Sequence, residues 1–298
     1  MISKAEFLER IKTEVFTDSK EKKLKLHKKI ICCLIALFIS FFAWYTIKTS
    51  KNGFSESEII ELAVLFLIGW ALIAVVHYFH VHRNIYLTKG KLYQILDMPQ
   101  LDVYEGSADR WFAKMQMAKL FANDLRAHYF PSFTKDTTLV FDDLNANVFE
   151  GYITTHYGKY NHIGNVFRGL LVEVRTKHFY EEPIVFIKRG FFTGRDKLKK
   201  VKLREKDARF DISTNNESAA QNLYSQGITS KLMSIDQRFF KIRNVEASFF
   251  EDKLYIALYT NKDLFEPLTK HYKDIHQYEL FYDEIEKIKT YCAQFTDL

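Results

Sequence analysis

Two apolar runs, Ile30 to Ile47 and Leu62 to Phe79, interrupt an otherwise polar chain. Each is close to the roughly 20 residues that a helix needs to cross a hydrocarbon core at about 1.5 Å per residue. The pattern predicts two transmembrane spans. The linker Lys48 to Glu58 is too short to fold alone, and its Lys51-Asn52-Gly53 suits a tight reversal, so the spans are expected as a hairpin within residues 30–83. Ahead of them, Ser3-Lys4-Ala5-Glu6 has capping-box spacing, and Phe7, Leu8, Ile11 and Val15 follow on one face. A short amphipathic helix therefore opens the basic leader, residues 1–29. Its apolar face can lie on an anionic leaflet or pack against protein, and the residues leave both uses open.

Beyond the hairpin the apolar periods shorten and alternate. Trp111, Met115, Ala118, Ala122, Leu125 and Tyr129 recur every three or four residues, predicting a helix over Ser107 to Tyr129 that ends before Pro131. Short β-branched and aromatic runs follow: Thr137 to Phe141, Val148 to His156, Val166 to Arg175, Ile184 to Lys188, Lys200 to Leu203 and Arg209 to Ser213. Their short connections predict an antiparallel meander. Asn216 to Tyr224 and Ile228 to Phe239 read as helices, and Val245 to Phe249 with Lys253 to Thr260 as a hairpin turning at Glu251-Asp252. The last stripe, Leu268, Tyr272, Ile275, Tyr278, Phe281, Ile285, Ile288, Cys292 and Phe295, predicts a long C-terminal helix. The fold class expected is α+β: the two-helix hairpin, then a cytoplasmic domain over residues 95–298 with an antiparallel sheet and a long C-terminal helix.

Charge sets the expected orientation. Residues 1–29 hold nine Lys/Arg against five Asp/Glu, while the inter-span linker offers only Lys48 and Lys51. Positive flanks stay cytoplasmic, which places both termini there. The net charge of +6 thus reflects the leader, and nucleic acid is not an expected partner. The three cysteines, Cys32, Cys33 and Cys292, build neither a disulfide framework nor a zinc site. Cys32-Cys33 beside the basic flank can accept a lipid, though packing in a membrane helix is the plainer use.

The search for chemistry is mostly negative. His77, His80 and His82 end the second run without a nearby carboxylate or thiolate and read, with Trp70 and Tyr78, as interfacial side chains rather than a metal site. Gly190-Phe191-Phe192-Thr193-Gly194-Arg195 has one residue too few between its glycines for a phosphate loop. No cofactor is expected. The one functional-looking patch is basic: strand alternation puts Lys200, Lys202 and Arg204 on one face, a ridge able to contact phosphate on a leaflet. A solvated strand face is the plainer reading.

Three segments carry a family resemblance: Phe167-Arg168-Gly169-Leu170-Leu171-Val172-Glu173-Val174 with Pro183-Ile184-Val185; Phe210-Asp211-Ile212-Ser213-Thr214 before Ala219-Ala220; and Ala247-Ser248-Phe249 through Asp252-Lys253-Leu254-Tyr255-Ile256-Ala257 to Asp263-Leu264-Phe265-Glu266-Pro267. Over Thr137 to Pro267 the chain resembles the bacterial domain-of-unknown-function family 3137. The resemblance implies a cytoplasmic domain behind a paired span in a bacterial inner membrane and brings no activity with it. The expected function is a membrane-anchored scaffold or sensor whose partners are the bilayer and a protein or lipid headgroup. The alternative is an anchored hydrolase or transferase whose acids, among them Asp142, Asp143, Glu150 and Glu173 with His156, converge only in three dimensions.

Overall fold

The computed structural model describes residues 1–16, 18–50, 60, 64, 66–67, 69–71, 73–74, 91–98, 108–121, 132–157, 162–188, 201, 209–265 and 274–298. It divides into two units, Met1–Asp97 with Pro267–Tyr278, and Met98–Glu266 with Glu279–Leu298.

In the first unit the N-cap half of the predicted capping box forms, while the Glu6 carboxylate accepts from Arg10 at 2.8 Å. The Ser3 side chain accepts from the Glu6 N–H and opens helix α1, Lys4–Arg10, which widens into a π-helical turn over Ile11–Val15. Phe7, Ile11 and Val15 are at most 1% exposed, so this face is packed inside protein and is not presented to a leaflet. Phe16 meets Tyr278 edge to face at 5.6 Å. Lys91 Nζ donates to the Glu14 carbonyl at 2.6 Å and lies 3.7 Å from its carboxylate, in a helical turn whose Leu92, Tyr93, Ile95 and Leu96 are buried.

Helix α2, Asp18–Ser50, contains the first predicted span. Its segment Lys29–Lys48 is the one helix among the described residues long and apolar enough to cross a membrane. Leu37, Ile39 and Ile47 are more than 60% exposed, a surface that water does not tolerate on this scale. The second predicted span is described at nine positions from Ile60 to Ala74, all helical. There Phe66 stacks 5.7 Å from Phe38 and 5.6 Å from Phe42, and a Cβ on Gly69 would collide with the Phe38 ring. Glycine is what lets the two segments approach that closely.

The second unit is built on an antiparallel sheet of β1 (Ser132–Phe141), β2 (Ala146–Tyr157), β3 (His162–Lys188), β4 (Phe210–Ser213) and β5 (Asn244–Tyr259). β1 to β3 form the predicted meander. The reversal between β1 and β2 is a 3-10 turn, Asp142–Leu144, closed by Asn145 at φ 47°. β3 and β5 are long because each doubles back. In a straight strand Glu246 and Tyr259 would lie roughly 43 Å apart at about 3.3 Å per residue. Instead Tyr259 Oη donates to Glu246 at 3.0 Å, and Arg243 N–H donates to the Tyr259 carbonyl. The predicted hairpin is therefore present, with Glu251 at φ 55° in its turn.

β3 wraps this hairpin. Its residues Gly169–Arg175 pair with Lys253–Tyr259, Tyr180 meets Glu251, and Ile184–Ile187 pair with Glu246–Phe249. The two strands expected at Val166–Arg175 and Ile184–Lys188 are thus the arms of an outer U around the inner one. β2 lines the first arm and β4 the second. Where the first arm crosses closest to β5, Gly169 sits at φ 151°, and any Cβ there would strike the Leu258 carbonyl oxygen.

Both faces of the sheet are buried. On one, Phe149, Ile153, Phe167, Leu171, Tyr255, Ala257 and Tyr259 pack with Met115, Ala118, Leu120 and Phe121. Helix α3, Ala108–Met117, ends short of the predicted Tyr129, because Lys119 and Phe121 adopt φ near 60° and turn the chain onto the sheet. Residues 122–130 lie outside the described ones. The other face buries Val148, Leu170, Val172, Val174, Leu254, Ile256 and Leu258 to 1% exposure or less. Three short helices follow β4: α4 (Glu217–Ser225), α5 (Ile228–Leu232) and α6 (Gln237–Phe240). The predicted helix Ile228 to Phe239 is split into the last two because Asp236 caps a fresh start, accepting from the Phe239 N–H at 3.0 Å. Helix α7, Ile275–Ala293, is the predicted C-terminal helix, begins after the non-helical Asp274 and buries Phe281, Ile285, Ile288, Tyr291 and Cys292; the predicted stripe positions Leu268 and Tyr272 lie outside the described residues.

Candidate functional site

The sheet register decides which acids can meet. Asn147 pairs with Glu173, so the two share a face, and Asn147 Nδ2 lies 3.4 Å from the Glu173 carboxylate. Glu150 is three residues further along β2 and points to the opposite face. The two carboxylates predicted to converge are therefore separated by the sheet itself. Glu173 is bound by Lys253 at 2.6 Å. Asp142 and Asp143 are exposed at the β1–β2 turn, where Lys289 lies 2.7 Å from Asp143 and its hydrogen bond holds that carboxyl below its ordinary value. His156 is in β2, but its side chain lies outside the described residues.

Glu150 has a different task. Its Oε1 accepts the backbone N–H of Leu264 at 2.6 Å, and Glu284 on α7 accepts the next one, from Phe265, at 2.8 Å. Two buried carboxylates from separate elements thus grip consecutive peptide groups. The same pairing puts α7 on the Glu150 side of the sheet. Around this grip the loop after β5 is bonded at nearly every residue. Thr260 N–H donates to the Arg168 carbonyl, and its hydroxyl donates to the Phe240 carbonyl at 2.6 Å. The Asn261 amide oxygen accepts from both terminal nitrogens of Arg243 at 3.0 and 3.1 Å. Asp263 pairs with Arg168.

Lys262 completes the cluster. Its ammonium is 2.8 Å from Glu284, 3.3 Å from the Phe239 carbonyl and 4.3 Å from the Phe239 ring centroid. Lys287 reaches the same ring at 4.8 Å while paired with Asp236 at 2.8 Å. Two cations on one ring repel, and each is held by its own carboxylate. The Lys287 hydrogen bond also draws Asp236 below its ordinary value. The cluster fastens the segment Thr260–Phe265 through Glu150, Glu284, Lys262 and Asp263.

The basic ridge lies outside the described residues at Lys200, Lys202 and Arg204. Val201, between them, donates its N–H to the Ile212 carbonyl at 2.9 Å, which puts this point of the chain beside β4. His77, His80 and His82 also lie outside the described residues. Cys32 and Cys33 are exposed on α2, whereas Cys292 is buried, and burial pushes its thiol up to about 12. Among the described residues no three His, Cys, Asp or Glu side chains converge as metal ligands. Glu284, Lys262 and Phe239 were not singled out from the sequence. Glu284 had a signal: it falls on the apolar stripe, three residues after Phe281 and four before Ile288, where a charge requires a partner.

Fold and site together define an α+β domain, in which Glu150, Glu173 and Glu284 are each engaged by a backbone N–H or a lysine, in a chain that also carries a helix apolar enough to span a membrane. Residues 165–298 match the family described as Protein of unknown function (DUF3137), which bears out the resemblance over residues 165–267. No curated protein matches the sequence. A crystal structure of the mycobacterial trehalose monomycolate transport factor A, TtfA, is similar at 11% identity, covering 59% of this chain and 92% of its own, with a TM-score of 0.27. At that score nothing about this chain follows from the likeness.

Proposed function

We propose that the chain is a membrane-anchored scaffold or sensor: a two-helix hairpin with both termini cytoplasmic holds the α+β domain at a bacterial inner membrane, where it binds a protein or a lipid headgroup. The observation that carries the reading is the contact between Glu14 and Lys91 beside an exposed apolar helix. Between these residues α2 runs 33 residues, about 50 Å at 1.5 Å rise, away from its start. For Lys91 to lie against Glu14 the chain must return the same distance. A helix that crosses a bilayer and a chain that comes back to its starting side make an even number of crossings. The apposition of Phe38, Phe42, Phe66 and Gly69 supports a single return helix. Binding rather than catalysis is supported by Glu150, Glu173 and Glu284, each engaged by a backbone N–H or a lysine.

Reporter fusions test the topology. A cytosol-dependent reporter is expected to be active at Leu298 and silent at Asn52, and the reverse pattern would sink the reading. Headgroup binding is tested on the full chain in nanodiscs. Anionic lipid is expected to shield Lys200 and Lys202 from an amine-acylating reagent more than neutral lipid does. Salt should abolish the difference as the Debye length falls from about 10 Å at 0.1 M to about 3 Å at 1 M. Equal labelling in both lipids would leave a protein as the partner.

A further inference from the structure

Phe41, Trp44, Tyr45 and Lys48 follow the i, i+3, i+4, i+7 spacing that gathers side chains on one face of α2. The ring centroids of Trp44 and Tyr45 lie 6.1 and 6.4 Å from that of Phe41, and the Lys48 ammonium sits 5.1 Å over the Trp44 ring. Phe41 and Trp44 are more than half exposed. Phe38 and Phe42, by contrast, face Phe66 on the returning segment. So the helix has an inner face that meets its neighbour, on which Tyr45 falls seven residues after Phe38, and an outer face that ends in an indole and an ammonium.

Level decides what that outer face meets. Counting from Lys29, Trp44 lies about 22 Å and Lys48 about 28 Å along the axis, against a hydrocarbon thickness of about 30 Å. By that count the apolar slab ends near Lys48, about one helical turn beyond the indole. An indole N–H has no acceptor in hydrocarbon, whereas glycerol ester carbonyls and phosphates supply one at its boundary. Lys48 adds attraction to the phosphate.

Resting on the membrane-anchored reading, we infer that Phe41, Trp44 and Lys48 form a docking band for phospholipid headgroups, fixing the first helix in the leaflet opposite the N-terminus. The band sets how deep the helix sits. It also stops the helix from sliding, because moving inward buries Lys48 and moving outward exposes Ile47 and then Phe41.

The full chain in phosphatidylcholine vesicles tests this, with bromine placed on the lipid acyl chains either near the headgroup or near the bilayer centre. The fluorescence difference between the wild-type chain and Trp44→Phe isolates Trp44. Bromine near the headgroup is expected to quench it at least about twofold more than bromine near the centre, as for an interfacial ring. Quenching equal at both depths, stronger at the centre, or absent because a protein covers the ring would overturn the inference. Trp70, next to the Gly69 that lies against Phe38, keeps the two readings apart. If Trp70 in the Trp44→Phe chain is quenched from the centre while Trp44 is not quenched near the headgroup, the anchor stands and the band falls; if neither is quenched, both fall. Should Trp44→Phe fail to insert, a Trp70→Phe, Trp111→Phe chain leaves Trp44 as its only tryptophan and gives the same comparison.

Discussion

Replacing Glu284 by alanine removes one of the two carboxylates that grip the segment Thr260–Phe265. Phe265 is fully buried, so its N–H would lose an acceptor that water cannot replace, a penalty of about 1–3 kcal/mol. Lys262 loses its ion pair as well, but its side chain is 24% exposed and keeps the Phe239 carbonyl and ring, so its share is smaller. The sum expected is about 2 kcal/mol, or roughly 4–8 °C in Tm for a domain of this size. Glu284→Gln retains an acceptor for Phe265 and should cost about half as much. Thermal unfolding of the detergent-solubilised chain, followed by near-ultraviolet circular dichroism, reads both. Glu286→Ala, at an exposed position on the same helix, is the control. Because Glu150 holds the neighbouring peptide, the Glu150→Ala, Glu284→Ala pair should be less than additive by about 0.5–1 kcal/mol: once one grip is lost the segment is already loosened. The reasoning fails if Glu284→Ala melts with the Glu286→Ala control, or if the pair is strictly additive.

Gly169→Ala should destabilise by more than about 2 kcal/mol, since the added methyl meets the Leu258 carbonyl of a paired strand, which cannot yield; the melting temperature checks it. Cys292 should resist a thiol reagent at pH 8 in a Cys32→Ser, Cys33→Ser chain until denaturant is added, because burial raises its thiol to about 12; labelling of the folded chain would contradict this. Asp143 is held below its ordinary 3.8 by Lys289, so its stabilisation is present above that value and lost as pH falls through the lower folded one. Its side chain is 60% exposed, which limits the effect to a few tenths of a kcal/mol. Lys289→Met should make the fall in Tm below about pH 4 slightly shallower, and an unchanged acid limb would refute the assignment.

Local pattern carried most elements into the structure. The N-cap at Ser3, the first apolar span, the β1 to β3 meander, the turn at Glu251-Asp252 and the C-terminal stripe are all encoded within short windows. What local pattern could not carry was partnership over distance. Nothing near Val166–Arg175 says that its neighbour is Lys253–Tyr259 rather than Ile184–Lys188, because both pairings bury the same alternate residues. The destination of the Phe7, Ile11 and Val15 face was open for the same reason: an amphipathic stripe specifies that something apolar covers it, and not what. Glu150 and Glu173 read as possible acid/base residues because sequence gives their spacing along the chain and not the two sides of a sheet. The helix expected to Tyr129 stops at Met117 because backbone turns at Lys119 and Phe121 override a sound apolar period.

The nested arrangement of β3 and β5 has a consequence for how the domain assembles. The inner edge of β3 stays without its partner until Tyr259 exists, 90 residues after Gly169, whereas β1, β2 and the first arm can zip as soon as they are made. Closing a loop of that length is an entropic cost that precedes any reward, so the rate-limiting step should be the entry of the β5 hairpin between the arms. Until then β3 holds two open edges facing each other across a gap the width of a hairpin, a slot that any extended peptide of the right polarity can fill. During synthesis the time from residue 188 to residue 259, several seconds at roughly 5–20 residues per second, is the interval in which the domain is most exposed to mispairing.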